Sequence, residues 1–462
     1  MDVTLRTISE EEASRLVCTE ESHFLDFKAI EISPRSISKT VSAFTNASGG
    51  EIIVGVDDKM GPSGEEKSWR GFSNQEAANA IIQTIHGLSP LGNHYEATFL
   101  SSQGRSGLVL VLTIFKTREI ITSSDGSVYL RKGAQNLPVR DEAAIQALRF
   151  NKGIISFENE LTDAEEELIT NSETVIGFLV HVVPTAEPEA WVKKQRLLRD
   201  GRPTVAGAML LADEPQALLP KRSAIKIFRY RSKEIGERSS LVFDPLTIEG
   251  PAVELIYAAV DKTKEIVEGI EKLGPKGLER IIYPQEALHE IVTNAVLHRD
   301  YSIAADCKIS IFDNRIEIES PGRLPGHITQ NNILSEQYAR NPILVRIANK
   351  FPNAPNKDVG EGLRTAFESM EKLRLKKPEI HEGENSVVVI LRHENLASPE
   401  QLVIEYMESH EEITNAVGRE LTAIKSENTM KEVFYRLRDR GLLEQIPEKK
   451  GRSSAWRKKQ DS

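Results

Sequence analysis

The stretch from Glu286 to Leu363 constrains this chain more than any other, because it sets four chemically distinct features in one order. The first is Glu286–Tyr301, EALHEIVTNAVLHRDY, in which Leu288, Ile291, Val292, Ala295 and Val296 fall at helical spacing and define one buried stripe. Glu290 and Asn294 are one turn apart and project from a single face. A carboxylate there can orient or deprotonate a water. A carboxamide oxygen beside it can join Mg2+, a hard cation that takes oxygen ligands. On their own, the two side chains are also what a solvated helix face would carry. Strand-like runs at Lys308–Phe312 and Arg315–Glu319 follow, then the turn Ser320-Pro-Gly322-Arg-Leu-Pro-Gly326. Last comes Asp358-Val-Gly360-Glu361-Gly362-Leu363, opening another helical pattern. Glycines there let backbone N–H groups approach phosphates at a helix start. A lone G-x-G says little; the four features together point to a nucleotide pocket.

The segments NAVLHRDYS, IEIESPGRLP, ARNPILVRIA and GEGL, in this order, resemble the GHKL ATPase superfamily, and within it the bacterial branch of RecG-like ATP-binding regulators. The resemblance covers roughly residues 200–395. It implies a Bergerat-fold ATPase domain that takes ATP and Mg2+, with Glu290 as general base and Asn294 as Mg2+ ligand. It also implies that Gly360 and Gly362 belong to a lid over the phosphates, that Gly322 lies in the nucleotide turn, and that Arg340 and Asn341 sit on a mobile segment beside it. Ser320 departs from the broader superfamily, which has an adenine-reading Asp there. The branch commonly carries a small polar residue at that place, so ATP binding stays the expectation, while base choice and turnover are left open. His298-Arg299-Asp300 mimics a kinase catalytic loop, but no Asn follows at the required spacing and no P-loop motif exists in the chain. His298 and Asp300 are read as pocket support.

A chain of 462 residues exceeds one ordinary hydrophobic core. Hydrophobic residues at 39% and charged residues at 28% give the balance of a globular protein, and no apolar run is long enough to cross a bilayer. Met1–Glu12 lacks the apolar core of a signal peptide, and Cys18 and Cys307 are the only cysteines. The expected address is therefore the cytoplasm, with no membrane partner. The net charge of −10 argues against non-specific coating of nucleic acid but leaves room for local basic patches.

Strands and helices mix without regular alternation, which predicts an α+β multidomain protein. Three segments are expected, 1–151, 152–397 and 398–462. In the first, a helix is predicted over Ile37–Thr45, strands over Glu51–Val56, Gly107–Phe115 and Val128–Arg131, and a helix over Glu142–Phe150. The middle segment carries helical patches at Asp163–Leu168 and Trp191–Leu198, strand-like runs at Ala206–Leu211 and Ile225–Tyr230, and a long helix over Pro251–Lys272.

The N-terminal segment gathers acids. Glu21 and Asp26 bracket Ser-His-Phe-Leu, Lys28 shares a strand face with Asp26, and Asp57 and Asp58 end a strand. Three carboxylates drawn from two elements can hold a divalent metal for phosphodiester cleavage, with a Lys to steady the phosphate. They also suit ordinary surface ion pairs. ESHFLDFK, SAFTNASGGEIIVGVDD and YLRKGA resemble the Schlafen-type Alba-like domain over about residues 15–150. The resemblance implies metal binding (Mg2+ or Mn2+) at Glu21, Asp26 and Asp57, with Asp58 the alternative third ligand, and a catalytic place for Lys28. Asp at 26 replaces the more usual Glu and shortens the reach. Arg131 and Lys132, at a strand end, suit either phosphate contacts or a solvated edge.

In the last segment, helical pieces are predicted at Ile413–Gly418, Leu421–Ile424 and Thr429–Arg440, with Ser426 as N-cap. The last would bury Val433, Phe434 and Leu437 and offer Lys431, Tyr435, Arg436 and Arg438 outward. A hairpin over Leu442–Trp456 would carry Lys449, Lys450 and Arg452 at its tip. This is the layout of a winged helix-turn-helix, which contacts nucleic acid in some proteins and docks proteins in others. Two functions follow. One is a nucleotide-gated, metal-dependent nuclease acting on RNA or DNA, suited by analogy to bacterial defence; the other is an ATP-responsive DNA-binding transcription regulator. A homo-oligomer is implied by the GHKL resemblance alone.

Overall fold

The computed structural model describes residues 3–57, 67–234, 238–274, 277–355, 362–373, 375–392, 399–422, 424, 426–447, 449 and 454–459. The fold is α+β and divides into two compact units. The first comprises Met1–Ser369 with Pro378–Leu391, the second Met370–Lys377 with Arg392–Ser462. The segment boundary expected after residue 151 falls inside the first unit.

Five strands of the first unit form a mixed sheet in the order Thr4–Ile8, Tyr95–Ser102, Arg105–Ile114, Gly50–Val54, Leu25–Lys28. Each edge strand runs parallel to its neighbour, while the inner pairings are antiparallel. The helix Pro34–Asn46 starts where the Ser33 side chain accepts from the Ser36 N–H and Pro34 presets the first turn. Its Ile37, Val41 and Phe44 pack with Ile52, Val54, Leu112 and Ile114, and Ile53 faces the opposite core with Ala13, Val17 and Phe27. This alternation is the period-2 pattern of a strand buried on both faces. The turn between helix and strand is built in. Asn46 donates to the carbonyls of Ile121 at 2.8 Å and Tyr129 at 3.0 Å and accepts from the Ile121 N–H at 2.9 Å. At Gly49 φ is +76°, and a Cβ there would stand 2.6 Å from the Ile114 carbonyl. Only glycine meets both conditions at low cost.

A second, six-stranded sheet runs Leu246–Ile248, Ile225–Arg229, Cys307–Ile311, Arg315–Pro321, Ser386–Arg392, Glu379–Glu382. The helices Ala252–Glu268 and Gln285–Leu297 pack against each other. The predicted stripe Leu288, Ile291, Val292, Ala295, Val296 is buried, and the predicted hairpin Cys307–Ile311 with Arg315–Pro321 pairs antiparallel.

Ala206–Leu211, expected as a strand, belongs to the helix Val205–Leu211, which Thr204 caps by accepting from Gly207 N–H. All seven of its residues are buried. A run apolar on every side has no periodicity to betray its conformation. The patch Asp163–Leu168 contributes only the start of a short helix, Glu167–Thr170, and Trp191–Leu198 splits between the helix Pro188–Lys194 and a strand at Leu198–Arg199.

The second unit carries helices Pro399–Ser409, Asn415–Thr422 and Glu427–Asp439 and a three-stranded sheet ordered Ile413–Thr414, Ala455–Lys458, Leu443–Gln445. Its sheet pairings are antiparallel. Ser426 caps the last helix by accepting from the Thr429 N–H. Val433, Phe434 and Leu437 are buried with Met430, Leu443 and Trp456. Ile413, expected to open a helix, instead pairs with Trp456 in the sheet. No helix among the described residues is long and apolar enough to cross a membrane.

Candidate nucleotide site

The signature helix Gln285–Leu297 presents Glu290 and Asn294 to a cavity of about 310 Å³, a size at the lower end of pockets that hold small molecules. Its walls come from that helix, from the strand Arg315–Pro321 and the Pro-Gly turn beyond it, and from the start of the helix Gly362–Lys372. Asn294 Nδ2 donates to Glu290 Oε1 at 2.8 Å. Since only the amide nitrogen can donate to a carboxylate, this bond orients the carboxamide and leaves its oxygen as an acceptor for another ligand. Burial pushes the Glu290 carboxyl up from its ordinary value, and the Asn294 hydrogen bond opposes that shift only in part. A raised pKa makes the carboxylate a stronger base toward a water proton.

Gly362 stands against the same carboxylate: a Cβ there would lie 2.1 Å from Glu290 Oε1. Ser320 lines the cavity and its hydroxyl donates to the Ala295 carbonyl at 2.8 Å. With its proton so engaged, the hydroxyl keeps acceptor capacity alone. Gly322 has φ +104°, and a Cβ would lie 2.6 Å from Asp300 Cβ, so the turn needs glycine for both conformation and space. His298, one turn beyond Asn294, also lines the cavity. Burial, aided by the Arg340 charge, pulls its imidazole down to about 4, so the ring is neutral at ordinary pH.

Arg340 and Asn341 are placed otherwise than expected. They are 3% and 1% exposed and do not line the cavity. Arg340 pairs with Asp300 at 3.2 Å and donates to the Phe150 carbonyl at 2.7 Å. Asn341 donates to the carbonyls of Leu297 at 2.9 Å and Arg299 at 2.8 Å and accepts from Ser156. They clamp the end of the signature helix behind the cavity wall. Asp300 also accepts from Ser302 N–H, in keeping with its reading as pocket support.

Among the described residues, the N-terminal acids are drawn into ion pairs and backbone hydrogen bonds. Asp26 is 1% exposed and paired with Arg131 at 2.8 Å and with Lys28. Asp57 pairs with Arg70 at 2.8 Å, and Arg70 also reaches Glu31 at 2.7 Å. Glu21 accepts from the Phe27 N–H at 2.9 Å. Among the described residues, no three His, Cys, Asp or Glu side chains converge to hold a metal. Asp26 and Asp57 each face cations from the same unit, while Asp26 Oδ2 and Asp57 Oδ1 are left without a hydrogen bond among the described residues. Arg131, expected at a phosphate, is instead 2% exposed. It donates to the carbonyls of Ser22 at 2.8 Å and Leu25 at 3.0 Å and lies 4.7 Å from the centre of the Phe44 ring. Lys132 does lie at the surface, paired with Glu384 at 3.2 Å. Asp58, Gly360, Lys450 and Arg452 lie outside the described residues.

Comparison with known proteins matches two segments. Residues 21–140 match the family described as Schlafen, AlbA_2, and residues 304–391 match "Putative ATP-dependent DNA helicase recG C-terminal", a HATPase_c_4 family. The chain joins an AlbA_2-type domain to a RecG-like HATPase-type domain. No curated protein matches it. Among solved structures, the DIP2311 protein from Corynebacterium diphtheriae is 16% identical, with 97% of this chain and 96% of that one covered and a TM-score of 0.42. The N-terminal domain of a RecG-related protein from Nitrosomonas europaea is 18% identical, with 29% and 89% covered and a TM-score of 0.22. At these values neither carries an argument about this chain.

Beyond the AlbA_2 and HATPase segments, the second unit sets its cations on the surface. Lys431 pairs with Glu427, Arg436 with Glu400, Arg438 with Asp439 and Lys449 with Glu412. Each cation is about half exposed, and such pairs are worth about 0–1 kcal/mol, so a phosphate can displace them. Trp456 is buried against Phe434, with ring centres 5.4 Å apart. Lys116 and Glu382 escaped sequence reasoning. They meet beside the cavity turn across 266 residues, and neither stands in a local motif.

Proposed function

We propose that this chain binds ATP in the cavity of Glu290 and Asn294 and binds nucleic acid as a nucleotide-responsive regulator rather than a nuclease. One observation carries the first half: the acid and amide of the signature helix meet Gly362, at the start of another helix, at a single cavity wall. The RecG-like match over 304–391 supports it. Asn294 offers an amide oxygen of the kind Mg2+ takes, and that cation would supply charge neutralisation for phosphates. Glu290 would orient a water and hold its proton. The start of the helix Gly362–Lys372 would turn N–H groups toward the phosphates.

The second half rests on the AlbA_2 match and on the second unit, which we read as a winged helix. Its order of helix, strand, helix, helix and two strands suits that fold, and its last helix offers Lys431, Arg436 and Arg438 to a groove. Regulation is favoured over cleavage because Asp26 and Asp57 are neutralised within the fold.

Calorimetric titration with ATP and Mg2+ tests the first half. Wild type should bind, and Asn294→Ala should weaken binding at least ~10-fold, the equivalent of about 1.4 kcal/mol. A wild type indifferent to millimolar ATP would remove the reading. A gel shift with labelled duplex DNA and tRNA, incubated with Mg2+ or Mn2+, tests the second. Cleavage abolished by Glu21→Ala/Asp26→Ala would restore the nuclease.

A further inference from the structure

The turn that floors the cavity is held from behind by the five-stranded sheet. Lys116 lies just beyond the strand Arg105–Ile114 and is buried. Its ammonium donates to the carbonyl of Leu324 at 2.6 Å and of Ile328 at 3.3 Å, and pairs with Glu382 at 3.4 Å. Leu324 and Ile328 both line the cavity, whereas Lys116 does not. Glu382 in turn accepts from the Leu324 N–H at 2.9 Å and pairs with Arg323 at 3.3 Å. Arg323, another lining residue, donates to the Ser48 hydroxyl in the turn between helix Pro34–Asn46 and strand Gly50–Val54. His23 holds the same hydroxyl at 3.1 Å. A further strap is Lys152, whose ammonium donates to the Thr45 carbonyl at 3.0 Å and whose own carbonyl accepts from Gly326 N–H at 3.0 Å.

These bonds are buried or part-buried and mostly charge-assisted, the kind that is costly to break without replacement. The turn Pro321–Ile328 therefore cannot shift alone. Any ligand that repositions it must alter the bonds of Lys116, Glu382 and Ser48, and such linkage is reciprocal.

We propose that Lys116 is a positioning residue for the nucleotide cavity, and that through the turn Pro321–Ile328 occupancy of the cavity is thermodynamically linked to the five-stranded sheet. This rests on the reading of the cavity as an ATP site. A ligand of the cavity and a ligand of the sheet then alter each other's affinity by the same factor.

The test uses the full chain, ATP with Mg2+ as probe, calorimetry, and hydrogen exchange read by mass spectrometry. In wild type, ATP should slow exchange in peptides covering Ser42–Gly50 and Leu110–Lys116, none of whose residues lines the cavity. Lys116→Met should weaken ATP about 10-fold and abolish that remote protection, while protection of the peptide containing Glu290 persists. Lys116→Arg, which keeps a donor and the charge, should recover part of both. Glu382→Gln, nearly isosteric, should act in the same direction and serves if Lys116→Met does not fold. Protection confined to lining peptides in an ATP-binding wild type overturns the linkage and leaves the proposed function standing. Equal affinity and equal remote protection in Lys116→Met overturn the role of Lys116. Failure of wild type to bind ATP removes both readings together.

Discussion

Two sets of carboxylates in this chain meet opposite fates. In the AlbA_2-type domain, Asp26 is sealed between Arg131 and Lys28, and Asp57 is paired with Arg70. In the helix Gln285–Leu297, Glu290 accepts, among the described residues, from the neutral Asn294 amide and opens on a cavity. The first arrangement spends its charge on holding the fold. The second leaves a carboxylate with no cation bonded to it among the described residues, its pKa raised by burial, beside space for a ligand. A carboxylate motif thus becomes chemistry only where the tertiary structure withholds the counter-cation and leaves room.

The comparison can be broken most forcefully at Arg131. Replacing it by Met strands Asp26 in the interior with one cation, and breaking a buried pair in this way costs about 3–5 kcal/mol. Urea unfolding should show a loss of that order, and Asp26→Asn added to it should recover part. A loss near zero would mean that Asp26 is not held by this pair and remains available for a metal.

Lys152 sharpens the contrast from the cationic side. It is buried with no acid bonded to it, and burial pulls its ammonium down to about 7 from 10.5. Between pH 7 and 10.5 the unfolded chain then holds a proton that the folded chain lacks, so this group's contribution to stability rises with pH across that window. Below pH 7 its penalty is complete, on the order of 5 kcal/mol. Lys152→Met should unfold at higher urea than wild type at pH 7, and the advantage should shrink by pH 10. An advantage independent of pH would show that the lysine is charged throughout.

Gly362→Ala probes the open carboxylate. The added Cβ would sit 2.1 Å from Glu290 Oε1, and the helix start or the acid must move. ATP affinity should fall about 10-fold, which corresponds to ~1.4 kcal/mol. Unchanged titration curves would separate Gly362 from the site. The smallest effect belongs to the surface. Lys431→Ala should change stability by less than about 0.5 kcal/mol, since its pair with Glu427 is exposed on both sides and such pairs contribute little. If the last helix meets phosphates, the same change lowers the salt dependence of DNA binding by about one counterion.

Much of the fold was readable in advance because it rests on local periodicity and turn chemistry. The stripe of the helix Gln285–Leu297, the Ser426 cap, the hairpin after Cys307 and the Asn-Ala-Ser-Gly-Gly turn all follow from spacing and residue type. The uniformly apolar helix Val205–Leu211 was not readable, because a segment buried on every side shows no face. Of the site, Glu290, Asn294, Ser320, Gly322 and Gly362 were legible from motif order and do line one cavity. Arg340, Asn341 and Arg131 were legible as candidate binding residues, but not as buried clamps.

The sequence by itself determined which helix would carry the acid and the amide and on which face, because positions four apart share a helix face whatever surrounds them. Which charges would be paired was decided only by the tertiary structure. Asp26 meets Arg131 across 105 residues and Lys116 meets Glu382 across 266, and nothing in the local chemistry of either partner names the other. Pairing over such distances is settled by which strands become neighbours, and that is a property of the assembled sheets.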